Sequence, residues 1–174
     1  ARIASMEVTD GNVLLLELRP DRAVRFQPGQ HAVLWLDSQL GRPYSLASQT
    51  GEANLRFHIR LHPGGAFSEK IQSLQPGDAL HLGPPTGHFH YDPDWQDKPL
   101  ILLAGGTGLA PLQAIARHAL ASGHQAPIEL RHWHGDHGCY LEKELLELAS
   151  AHPKLSLRLR PRTELAADLT QLRL

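Results

Sequence analysis

A single cysteine, Cys139, excludes an internal disulfide framework and any iron–sulfur cluster held by four cysteines of this chain. Net charge is equally scarce: 17 Lys and Arg against 18 Asp and Glu leave a formal charge of −1. That balance invites neither a nucleic acid nor an anionic membrane surface. No apolar run approaches the roughly 20 residues a membrane span requires, and no signal-peptide pattern opens the chain. These absences set the expectation of a cytoplasmic protein with neither nucleic acid nor membrane as partner. Internal repeats and low-complexity tracts are missing too, and Ala1 stands where an initiator Met would, as in a processed chain or part of a longer polypeptide. What is present is ordinary for a globular protein: 174 residues, 41% apolar and 20% charged, enough for one full core or two small ones.

The texture changes near residue 95. Before it, alternating apolar and polar residues predict strands at 2–8, 12–19, 31–37, 42–48, 54–62 and 79–83. Turn chemistry separates them, as in Gln27-Pro28-Gly29-Gln30 and Gln75-Pro76-Gly77-Asp78. Strands this short and turns this frequent predict a six-stranded antiparallel barrel over 1–95. One helix interrupts it, with Phe67, Ile71 and Leu74 at helical spacing. From 96 to 174 strand and helix alternate. The run "LILLA" (100–104) reads as a parallel strand buried on both faces, and strands at 127–133 and 154–160 follow. Helices are expected at 112–123, 141–152 and 163–172. That order, βαβαβα, predicts a Rossmann-like parallel α/β domain.

Several segments carry chemistry. Gly105-Gly106-Thr107-Gly108 lies between a strand and a helix with Pro111 in its first turn, which is a phosphate-binding arrangement. In "GRPYSLAS" (41–48), Arg42 and Tyr44 alternate with Pro43 and Ser45; the stretch reads either as an edge strand with an aromatic in the barrel or as part of a cofactor site. In "HIRLHPGGAFSEKI" (58–71), Gly64-Gly65 precedes a helix whose first turn holds Ser68, either as an anion site or as a plain turn capped by that serine. "GPPTGHF" (83–89) is a rigid connector. "HWHGDH" (132–137) matches the H-x-H-x-D-H pattern of metallo-β-lactamase-like zinc hydrolases. Such a site needs more ligands from distant loops and a different layering, so no metal site is assigned. Cys139 reads as a residue at a helix start.

Arg-Pro-Tyr-Ser, Gly-Gly-x-x-Ser, Gly-Pro-x-x-Gly-x-Phe and Gly-Gly-Thr-Gly-Leu-Ala-Pro occur in one order along the whole chain. In that order they resemble the ferredoxin–NADP⁺ reductase superfamily, the flavin- and nicotinamide-binding module of oxygenase reductases and flavohaemoglobins. The resemblance implies FAD rather than FMN as cofactor and NADH or NADPH as co-substrate. It implies a hydride passed to the flavin, then single electrons passed to an iron–sulfur protein or domain, a ferredoxin or oxygenase component on a preceding segment or a separate protein. It places Arg42 on the flavin phosphates, with Tyr44 and Ser45 beside the reacting ring though not as acid–base groups. Gly64, Gly65 and Ser68 hold phosphates in this scheme, and Gly105, Gly106, Thr107, Gly108 and Pro111 receive the nicotinamide nucleotide. Pro43, His58, Arg60, Ala66 and Phe67 complete the implied cofactor set. Relatives continue past the point corresponding to Leu174, so the α/β domain is expected to be incomplete at its C-terminus, with the ladder groups beside "LILLA" unpaired. Arg158, Arg160 and Arg162 read equally as a 2′-phosphate site or as a solvated strand face.

Overall fold

The computed structural model describes residues 1–170; Gln171 and Leu172, assigned above to the last helix, lie outside the described residues. The alternating segments form β1 (Arg2–Val8), β2 (Val13–Arg19), β3 (His31–Trp35), β4 (Gly41–Ser45), β5 (Leu55–Arg60) and β6 (His81–Leu82). Helix α1 (Ala66–Gln72) follows β5. The single six-stranded barrel expected above does not form. The strands make two antiparallel three-stranded sheets, ordered β1-β2-β5 and β4-β3-β6. Among the described residues no ladder joins the two sheets; isolated bridges link them, Arg2 with Ala79 and Leu46 with Phe57, and their inner faces share one core. The reason is local: β6 is two residues long, and Pro84-Pro85 soon after it bring no N–H to extend a ladder. Pro43 is tolerated within β4 because β4 is an edge strand.

Strand alternation decides what each sheet buries. Leu14, Leu16 and Leu18 of β2 meet Phe57 and Ile59 of β5 and Leu34 of β3 in one core. The opposite face of β5 therefore presents Arg56, His58 and Arg60 toward the rest of the chain.

The second half holds a parallel sheet ordered β7 (Leu100–Gly105), β8 (Ile128–His134) and β9 (Leu155–Pro161). Its helices are α2 (Leu109–Ala121), α3 (Glu142–Ala151) and α4 (Leu165–Thr170). Leu102, Ala104, Ile115, Ile128, Leu130 and Leu145 form a second core. Here "LILLA" departs from expectation. Ile101 and Leu103 remain 40% and 38% exposed, and β7 sits at the edge of the described sheet. Among the described residues only its Leu102–Ala104 face is covered. No helix among them is long and apolar enough to cross a membrane.

Candidate functional site

Edge strand β4, the outward face of β5, the start of α1 and the turn before α2 converge on one open cavity of about 550 Å³. Arg42, Pro43, Tyr44 and Ser45 line it from β4, and His58 and Arg60 from β5. Gly65, Ala66, Phe67 and Ser68 contribute the helix start, and Thr107 and Gly108 the glycine turn. Gly64, Gly105, Gly106 and Pro111 belong to the same turns but do not line the cavity. Sequence reasoning missed His62 and Ala110. His62 was within reach, since it continues the alternation of His58 and Arg60; Ala110 carries no signal of its own.

The lining is cationic and donor-rich. It contains no Asp or Glu. Arg42 donates to its neighbour's carbonyl, Gly41 O, at 2.7 Å, and Arg60 donates to Gly11 O. Neither is in an ion pair among the described residues, so most of each guanidinium fork stays available to an anion. The amides of Ala66, Phe67 and Ser68 precede the first helical bond of α1, from Glu69 N–H to Gly65 O, and have no helical acceptor. Ser68 does not cap this helix: the N-cap is Gly65, with no side-chain cap bond. Its hydroxyl instead accepts from His62 N–H at 2.9 Å, folding the loop back and leaving its own hydrogen to donate. Tyr44 packs its ring on Phe67 at 5.2 Å, tilted by 51°. Burial pushes its phenol up to about 12, so it stays neutral at ordinary pH. A neutral aromatic wall beside guanidinium and amide donors fits a flavin nucleotide, planar at one end and anionic at the other.

The histidine-rich segment lies behind the glycine turn of this cavity. His132 Nε2 lies 3.1 Å from Gly106 O, and His134 Nδ1 lies 2.8 Å from Gly135 O. The two rings lie 6.2 Å apart between centroids, each against a backbone carbonyl, and among the described residues no group of three or more His, Cys, Asp or Glu could hold a metal. Arg158 and Arg160, both from β9, pair with Glu129 and Glu164 respectively, whereas Arg162 lies in the turn after that strand.

Burial holds the His58 imidazole down at about 3 and His132 at about 4. Both rings are neutral in the folded protein near pH 7, whereas the unfolded chain protonates them near 6.5. Below that pH the unfolded state binds protons the folded state refuses, so stability falls as pH drops from about 6.5. The slope is up to about 1.4 kcal/mol per pH unit for each ring. Urea midpoints between pH 7 and 5 should show the decline, and a His58→Gln, His132→Gln double variant should flatten it. A double variant as steep as the parent would refute this account.

The family model described as an oxidoreductase FAD-binding domain matches residues 4–91. The ferredoxin–NAD(P)⁺ reductase component of the naphthalene 1,2-dioxygenase system of Pseudomonas putida is 32% identical over 157 residues, covering 89% of this chain and 48% of its own length. The reductase subunit of an aromatic O-demethylase from Amycolatopsis is 37% identical over 137 residues, 74% of this chain and 40% of that one. The crystal structure of an Amycolatopsis cytochrome P450 reductase superposes with a TM-score of 0.81 at 29% identity, over 90% of this chain and 49% of that one. A ferredoxin–NADP⁺ reductase from Plasmodium falciparum shares the fold at a TM-score of 0.83 and 20% identity, over 90% of this chain and 67% of that one. The chain thus spans about half the length, or less, of these two curated relatives.

Proposed function

Because the chain belongs to the oxidoreductase FAD-binding family, whose model spans residues 4–91, we propose that it is the flavin-bearing part of an NAD(P)H-dependent reductase serving an oxygenase or ferredoxin. In this reading residues 1–95 hold FAD and 96–174 receive the nicotinamide nucleotide. The carrying observation is the cavity itself, where two helix starts and two arginines outside any described ion pair meet beside a neutral tyrosine. When bound, FAD supplies two-electron acceptance from reduced nicotinamide and one-electron release to an iron–sulfur acceptor.

The protein's part is binding, orientation and electrostatics. Arg42 and the first-turn amides of α1 neutralise and orient phosphates, with the Ser68 hydroxyl as a further donor. Tyr44 gives a planar face that keeps water off one side of a ring, and Ser45 brings a hydroxyl to the same edge. Neither acts as an acid or base. Thr107 and Gly108 present the turn before α2 to a second diphosphate, and Gly105, Gly106 and Pro111 shape that turn. His58 and Arg60 close the wall between them. The acceptor is inferred from the names of the relatives, reductases of dioxygenase and O-demethylase systems. A cytoplasmic setting belongs to the same reading and is supported by the free thiol of Cys139, which suits a reducing compartment.

The purified protein should be yellow after reconstitution, release FAD on denaturation, and bleach when mixed anaerobically with NADH or NADPH. A colourless protein would end the proposal; colour without bleaching would confine it to cofactor binding.

A further inference from the structure

The two cores touch through contacts of unequal character. Arg56 reaches Glu144 at 3.0 Å, but both side chains are substantially exposed, and such pairs contribute little. Gln113 Nε2 donates to Ala47 O at 2.6 Å. A further contact is part-buried and aromatic. His58, on the outward face of β5 and 4% exposed, places Nδ1 3.1 Å from the Tyr140 hydroxyl. The Tyr140 ring stands edge-on to two imidazoles, His58 at 5.4 Å and His132 at 6.1 Å. His132 then meets Gly106 O through Nε2. A carbonyl oxygen only accepts, so His132 carries its hydrogen on Nε2 and leaves Nδ1 bare. Among the described residues that Nδ1 is buried without a partner, as is His58 Nε2.

Gly106 has φ +51°, a left-handed conformation, and directly precedes Thr107 and Gly108 on the cavity wall. A continuous line of part-buried contacts therefore runs from β5, through Tyr140 and His132, to the back of the glycine turn. We propose that His58, Tyr140 and His132 form a latch between the two cores, which holds the Gly106 turn in register with the cavity and makes all three positioning residues for the second nucleotide. The identity of that nucleotide rests on the function proposed above; the latch itself does not. A turn already held in its binding conformation loses less freedom when a diphosphate arrives, which raises affinity without any new contact to the ligand.

Amide hydrogen exchange on peptides covering 105–115 tests this in the 174-residue chain. In Tyr140→Phe and His132→Leu these amides should exchange about 5- to 10-fold faster, while peptides from β2 and the β5 core keep the parent rate. His132→Gln, whose side-chain amide can still donate to Gly106 O, should restore slow exchange. In flavin-loaded protein the two disruptive variants should bind ADP-ribose more weakly by a similar factor, with FAD retention changed less than about twofold. The latch is overturned if 105–115 exchanges at the parent rate in both disruptive variants, if all peptides accelerate together, or if His132→Gln behaves like His132→Leu. Should the parent retain no flavin and bind no ADP-ribose, the proposed function fails, and the exchange result alone still decides the latch.

Discussion

Replacing Arg42 by alanine is expected to weaken FAD retention about 10- to 100-fold, the loss of one or two charge-assisted bonds to phosphate. The effect should be local. Arg42 is exposed on edge strand β4, and its bond is to the carbonyl of Gly41 beside it, so its removal leaves no buried group unpaired. The melting temperature of the apoprotein should stay within about 2 °C of the parent. Arg42→Lys should fall between, because an ammonium keeps the charge and loses the planar fork. Flavin fluorescence titration measures all three proteins. Affinity within about twofold of the parent in Arg42→Ala would move the phosphates elsewhere and dissolve the cavity assignment. Ser68 is a poorer probe, since its hydroxyl also accepts from His62 N–H and its loss would disturb the loop together with any ligand.

Gly29→Ala is expected to cost about 3 kcal/mol or more, through two effects that add. Gly29 has φ +105°, which L side chains rarely adopt. A β-carbon there would also lie 2.6 Å from the Phe89 carbonyl oxygen and 2.9 Å from Ile115 Cδ1. The turn thus presses against both the chain leaving the first core and helix α2 of the second. Thermal melts should show a drop on the order of 10 °C, at about 2–4 °C per kcal/mol for a chain of this size. Gly51→Ala isolates the backbone share of that cost. Its φ is +92°, and a β-carbon there would meet nothing within 4 Å, so a loss of only about 1–2 kcal/mol is expected. Equal losses at positions 29 and 51 would show that the approach to Phe89 carries no weight.

The six short strands, the α1 helix and the parallel half were all legible, because strand and helix periodicities are printed directly in the order of residues. So was most of the cavity. Arg42, Tyr44, Ser68 and Thr107 lie in short motifs whose backbone demands are local. The pairing of strands was less legible. Alternation says which face of β6 is apolar, but nothing in it says that β6 stops after His81–Leu82 and leaves two sheets where one barrel was expected. "LILLA" fails for a related reason: a uniformly apolar run cannot report that Ile101 and Leu103 lie on an uncovered face.

By itself the sequence determined the element order, the chemistry of each turn and the family, since these depend on neighbours a few positions apart. Only the tertiary structure decided that Ser68 braces a loop instead of capping its helix, and that the His132 ring meets the Gly106 carbonyl. It alone set Tyr140 against His58, 82 positions away. Such pairings follow from how two cores dock, and docking is governed by the shapes of surfaces gathered from across the whole chain, which no local pattern of residues encodes.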